Sequence, residues 1–225
     1  MKTKLFIMTS MLLIVLASCS SSNDEPVVFQ TPDSSVETRL TGIEYPYYYF
    51  KGEKIGLELS ETKSYVLFRE ADKEALLNKL SEKEVTVHKE ELSSFYQEPA
   101  MRIKGEAYDK YTDCLWVEMD LNYKELNELP EVIYASPFVR ASESGRWFPM
   151  TNKCYVWFYG GIDALSNILS EYKVEILGEL DSFENVYVIL CTKESKGNAL
   201  EVANALYENG SVAVAEADFL SGTFD

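Results

Sequence analysis

The feature that most constrains this chain is a pattern that it runs through twice. In the first pass Ser64-Tyr65-Val66-Leu67-Phe68 reads as a strand, and Asp72 to Leu80 as a helix with Leu76, Leu77 and Leu80 on one face. Glu84 to His88 and Cys114 to Met119 read as strands. Asn122, with Glu125 three residues later, caps a short helix carrying Tyr123, Leu126 and Leu129; Pro130 stops it, and Glu131 to Ala135 is the closing strand. In the second pass Cys154 to Phe158 is a strand, and Ile162, Leu165, Ile168 and Leu169 mark a helix. Lys173 to Leu177 and Asn185 to Cys191 are strands. Ala199, Leu200, Ala203, Leu206 and Tyr207 then recur at helical spacing, Asn209-Gly210 supplies a left-handed stop, and Val212 and Val214 alternate with small residues as a strand. Both passes are β-α-β-β-α-β, an order that lays two helices on one face of a four-stranded antiparallel sheet.

The expected fold class is therefore α+β, as two tandem ferredoxin-like plaits. Tyr134-Ala135-Ser136-Pro137-Phe138 stands where Ala215-Glu216-Ala217-Asp218-Phe219 stands in the second pass, so a duplication accounts for both. A hairpin precedes them, Tyr47 to Phe50 and Ile55 to Leu59 around Lys51-Gly52-Glu53-Lys54. Its aromatic run reads either as a carbohydrate platform or as an edge hairpin packed on the next sheet. The domain layout is a hairpin and first plait over 41–141, a joint over 142–152, and a second plait with a C-terminal tail over 153–225. Trp147 and Phe148 in the joint are expected at the interface between the plaits. An insertion at Ser93 to Thr112 is long for a compact domain and reads as a functional loop or as a cap on the sheet edge.

The first 18 residues are processing signal. Lys2 and Lys4 precede an apolar run from Leu5 to Leu16 that is short for a membrane span. Leu16-Ala17-Ser18-Cys19 matches the bacterial lipobox, which implies cleavage before Cys19 and lipidation of its sulfur and amino group. At about 0.8 kcal/mol per buried CH₂, two or three acyl chains anchor a protein durably. Residues 19–40, rich in Ser, Asp, Pro and Thr, read as a disordered tether. Ser20 to Glu25 resembles the acidic tether of surface lipoproteins of Bacteroidetes, so the expected place is the outer membrane, facing the periplasm or the cell surface.

The formal charge of −16 repels phosphate, which excludes nucleic acid as a partner and leaves the membrane to be reached through the lipid. There is one histidine, His88, and no Gly-x-Ser-x-Gly, phosphate loop, dinucleotide fingerprint or EF-hand spacing. With 37 acids, adjacent carboxylates carry no information about acid–base roles. No enzyme, no catalytic residue, no metal site and no cofactor is expected. Cys114, Cys154 and Cys191 lie in alternating apolar segments without metal-ligand spacing and read as buried free thiols.

The stretch Ala199 to Phe219 resembles the last helix and strand of the N-terminal prodomains of subtilisin-like serine peptidases, the fervidolysin type in particular. The hairpin at Tyr47 to Leu59 is similar to one that precedes such prodomains in Bacteroidetes, and the resemblance extends to Phe68. The resemblance implies a non-catalytic prodomain standing alone, which inhibits or chaperones a subtilisin-like peptidase in trans. In that family the open sheet packs on helices of the catalytic domain and the C-terminal segment enters the substrate cleft as an extended strand. Carried over, the cleft-binding segment is Glu216, Ala217, Asp218, Phe219 and Leu220, with Ser221 to Asp225 as tail. A cell-envelope lipoprotein that serves as a protein- or glycan-binding scaffold is the alternative reading.

Overall fold

The fold begins with a turn that needs two left-handed residues in succession. Lys51 (φ 50°) and Gly52 (φ 82°) take them, joining β1 (Tyr47–Phe50) to β2 (Glu53–Arg69) in a tight hairpin with Tyr47 opposite Gly56. The computed structural model describes residues 45–81, 83, 85–92, 103–104, 113–141, 145–159, 166–210 and 212–220, with the backbone alone at 88–92 and 168. All of these lie in one unit, Thr41–Leu220. Cys19, the signal and tether segments, Ile162, Leu165 and the tail beyond Leu220 lie outside the described residues.

Where the sequence reads two strands, ending at Leu59 and starting at Ser64, the structure has one of 17 residues. Ser60 makes this possible. Its hydroxyl accepts the N–H of Lys63 (2.8 Å), so the irregularity between Leu59 and Ser64 is satisfied inside a continuous β2. Beyond β2 come α1 (Lys73–Ser81), entered through a 3₁₀ turn at Glu70–Asp72, β3 (Val87–Leu92), β4 (Cys114–Met119), α2 (Tyr123–Asn127) and β5 (Val132–Ala141). The strands pair antiparallel in the order β5-β2-β4-β3. Leu76, Leu80 and Leu126 of the helices close one core on Val66, Phe68, Leu115, Val117, Met119, Val132 and Ala135.

Two local readings change here. Asn122 caps α2 by accepting the Lys124 N–H (2.9 Å), but Glu125 turns outward to Lys83 (2.9 Å) instead of reaching back to the cap. β5 runs six residues past Ala135, and α2 helps it do so. The Asn127 side-chain amide takes both the N–H and the C=O of Ala135 at 2.8 Å, standing in for a neighbouring strand.

The second half holds β6 (Phe148–Phe158), α3 (Ser166–Tyr172), β7 (Glu175–Glu179), β8 (Val186–Leu190), α4 (Ala199–Glu208) and β9 (Val212–Phe219), with strand order β9-β6-β8-β7. The second part of the segment expected as a joint is strand: β6 already starts at Phe148, and Phe138 and Val139 of β5 pair with Pro149 and Phe148. Arg140 covers the Trp147 ring at 4.6 Å, which keeps that indole against the main core. The architecture is α+β, with an antiparallel sheet network and a small number of helices.

The second core spans both halves. Tyr65, Leu67, Trp116 and Tyr134, on the first sheet's other face, share a cluster with Val188, Leu190 and the α4 residues Ala199, Leu200, Val202, Ala203 and Leu206. Lys193 donates to the carbonyl of Leu129, a further tie between halves. Ile103, from the insertion, is 1% exposed and bridges to Leu180, while Lys104 pairs with Glu179 at 3.0 Å. Gly178 is required at this crossing, because a Cβ there would overlap Ile103 Cγ2.

α4 is buried on nearly every side, which its capping explains only in part. Asn198 accepts N–H groups of Leu200 and Glu201, and Glu201 returns a bond to the Asn198 N–H, a full capping box. Gly210 (φ 76°) ends the helix as the sequence implies. The outer side is roofed by the hairpin. Tyr47 and Tyr49 each donate to Glu208 at 2.7 Å, Lys54 approaches it at 3.3 Å, and Asn204 donates to the Tyr47 carbonyl at 2.7 Å. The aromatic run thus packs on the C-terminal helix through Tyr47 and Tyr49, and through Tyr48 on Phe219 of β9 at 6.2 Å.

Candidate functional site

The segment assigned to a peptidase cleft is the second half of β9, and it is already a strand of the fold. Ala217 stands opposite Cys154, Glu216 opposite Tyr155, and Phe219 opposite Met150, and the Leu220 N–H still donates to the Pro149 carbonyl at 2.9 Å. Alternation then divides the five residues between two faces. Ala217 is 8% exposed beneath α4, and the Phe219 ring meets Tyr48 edge-on at 6.2 Å. Glu216 and Asp218 point to the other face.

That other face is a small ordered grid, because cross-strand partners in an antiparallel pair project together. One row is Val214, Trp157 and Val186, and the next is Glu216, Tyr155 and Val188. A third holds Asp218, Lys153 and Leu190: Lys153 pairs with Leu190 and its ammonium lies 3.9 Å from Asp218, which also accepts the Thr151 hydroxyl at 2.8 Å. Lys153 and Leu190 are buried, whereas Val214, Trp157, Val186, Glu216 and Tyr155 are half-buried. Burial pushes the Glu216 carboxyl up to about 7. Ile103 sits over Gly178 at the β7 margin of the sheet.

β9 pairs with β6 alone, so among the described residues its second backbone edge carries no strand. β7, another margin, has a register irregularity between Ile176 and Gly178, a device that discourages further pairing. β9 carries no register irregularity between Val214 and Ala217. It offers Ala213, Ala215 and Ala217 alternating with Val214, Glu216 and Asp218.

The sequence pointed to β9 but missed Tyr155, Trp157 and Val186. Their signal was present: in Cys154-Tyr155-Val156-Trp157-Phe158 both alternations are apolar, so both faces of β6 need cover. The thiols of Cys114, Cys154 and Cys191 are buried and free, and burial pushes those of Cys114 and Cys191 up to about 12. Among the described residues there is no group of His, Cys, Asp and Glu able to hold a metal, and no helix long and apolar enough to cross a membrane. No protein-family model matches the chain, and no curated protein matches it significantly.

Proposed function

We propose that this chain is a lipid-anchored, non-catalytic, prodomain-like protein that binds a subtilisin-like peptidase in trans, from the outer membrane, with Cys19 as the lipidated residue. On this account the chain is two tandem ferredoxin-like plaits, a reading supported by the orders β5-β2-β4-β3 and β9-β6-β8-β7, each with its first strand between its last and its third. The observation that carries the functional reading is the half-buried face of β9 and of the β6 aromatics Tyr155 and Trp157, lying beside a β9 edge that has no paired strand among the described residues.

Binding on this account uses the face and the edge together. Trp157 and Tyr155 supply the apolar contact, and the backbone of Glu216 to Leu220 supplies an edge on which an extended peptidase segment adds a strand. Because β9 is held by β6 along its length, Glu216 to Phe219 act in place. Entry of the tail into a cleft falls to residues beyond Leu220.

The test is a titration of peptidases from the same cell envelope with the full-length protein, a form ending at Leu220, and Trp157→Ala. Submicromolar inhibition by the full-length form, lowered at least tenfold by Trp157→Ala, supports the reading. Digestion of all three forms without inhibition overturns it. The scaffold alternative then stands, and its glycan version has lost one support, since Tyr47 and Tyr49 are committed to Glu208.

A further inference from the structure

Within the grid of the second sheet, one carboxylate is left without a cation. Asp218 has Lys153 and Thr151. Glu216 has neither an ion pair nor a hydrogen bond to its side chain among the described residues. Its neighbours across the sheet are Tyr155 and, in the adjoining row, Val214 and Trp157. The titratable groups near it are Tyr155 from β6, Tyr48 from β1, which packs on Phe219 and whose hydroxyl is raised by burial and by the charge of Glu216, and, one row along, Lys153 and Asp218. β8 presents no titratable group on this side, only Val186 and the buried Val188 and Leu190.

We infer that this face accepts a protein partner that sets one lysine or arginine against Glu216 within the apolar ring of Val214, Trp157 and Tyr155, and that protonation of Glu216 releases that partner. The inference rests on the docking reading of this face and adds what the partner must bring and when it lets go. The choice of occupant follows from charge. An ionised carboxylate already partly stripped of water has less hydration left to lose when a partner closes over it, so a cation there gains more than it would at an exposed acid. A second copy of this chain is the wrong occupant, since a face-to-face pair would bring two Glu216 carboxylates into one apolar ring on molecules of charge −16. Anionic lipid and nucleic acid are excluded by the same charge.

The direction of the pH effect follows from linkage. Glu216 in the free protein loses its proton near neutrality, and a cation at hand holds the bound carboxylate ionised to lower pH. Affinity is then level above pH 7 and falls up to about tenfold for each unit below it.

The test uses isotope-labelled full-length protein in detergent and two synthetic probes, acetyl-Leu-Lys-Leu-amide and acetyl-Leu-Glu-Leu-amide, followed by NMR shifts at pH 8 and pH 6. The expected result is saturable shifts at Val214, Glu216, Tyr155 and Trp157 with the lysine probe. Binding weakens several-fold or more at pH 6 and is lost in Glu216→Gln, and the acidic probe does not bind. Equal binding of both probes, binding unchanged by Glu216→Gln, a flat pH profile, or no shifts on this face at pH 8 would each overturn the inference. Peptidase titration reports separately on the docking reading. Probe binding without peptidase inhibition would sink the peptidase as partner and leave the cation-gated face standing.

Discussion

Glu208 and Glu216 are two acids a few residues apart in sequence that the fold treats in opposite ways. Burial acts to raise the Glu208 carboxyl, but the Tyr47 and Tyr49 hydroxyls and Lys54 outweigh it and hold it below the usual carboxylate range. Glu216 has burial without such partners and rises to about 7. Glu208→Ala should therefore cost about 0.5–1.5 kcal/mol at pH 7, read as a shift in the denaturation midpoint, because it removes the two exposed hydrogen bonds by which the hairpin hydroxyls hold α4. An effect under a few tenths would show that the hairpin holds to the helix by ring packing alone. For Glu216 the sign is reversed. A carboxyl whose folded pKa is raised favours folding while protonated, so that contribution is lost as pH rises from about 4.5 to 7. Glu216→Gln should be more stable than the parent at pH 8, by on the order of 1–3 kcal/mol, and close to it at pH 4. Equal stability at both pH values would mean that Glu216 is solvated in the folded protein.

Among elements, β4 was the most legible in the sequence. All six residues of Cys114–Met119 are buried, and the apolar residues Cys114 to Val117 with Met119 state most of that; the burial of Glu118, which pairs with Lys63, is the part no apolar run records. The limits of β2, β5 and β6 were not legible. Their extra length depends on the Ser60 hydroxyl, the Asn127 amide and the pairing of Pro149 with Phe138, contacts between residues from 3 to 11 positions apart that no hydrophobic period records. β3 begins three residues after the expected Glu84, at Val87, whose partner is Met119. Of the candidate site, the strand was legible and its neighbours were not, since the face becomes visible only once β6 lies beside β9. Gly178 gives an element-scale prediction. Gly178→Ala meets Ile103 at φ 151°, so the clip of the insertion onto β7 should open, at a cost of about 1–3 kcal/mol in chemical denaturation. A neutral outcome would show that Ile103 shifts without loss.

For the molecule as a whole, the shared core is what matters. Trp116 of the first half stacks on Tyr65 at 4.6 Å within the cluster that includes Val202 and Val188 of the second. Two halves joined in this way should melt together. Calorimetry should record one transition over Thr41–Leu220, and Trp116→Ala and Val202→Ala should lower that same transition; two separable transitions would show that the halves fold independently. The buried free thiols belong to the same picture, since a disulfide reagent should modify Cys114, Cys154 and Cys191 only as the whole unit unfolds. A joined core also gives the candidate docking face a rigid support, so that β9 and β6 can meet a partner without being rebuilt.

The most direct test of the account is an inhibition titration of a subtilisin-like peptidase from the same envelope with the full-length protein and its Trp157→Ala variant. The account predicts submicromolar inhibition by the first and at least tenfold weaker inhibition by the second. Cleavage of both proteins with no inhibition, or inhibition that Trp157→Ala leaves unchanged, would contradict it.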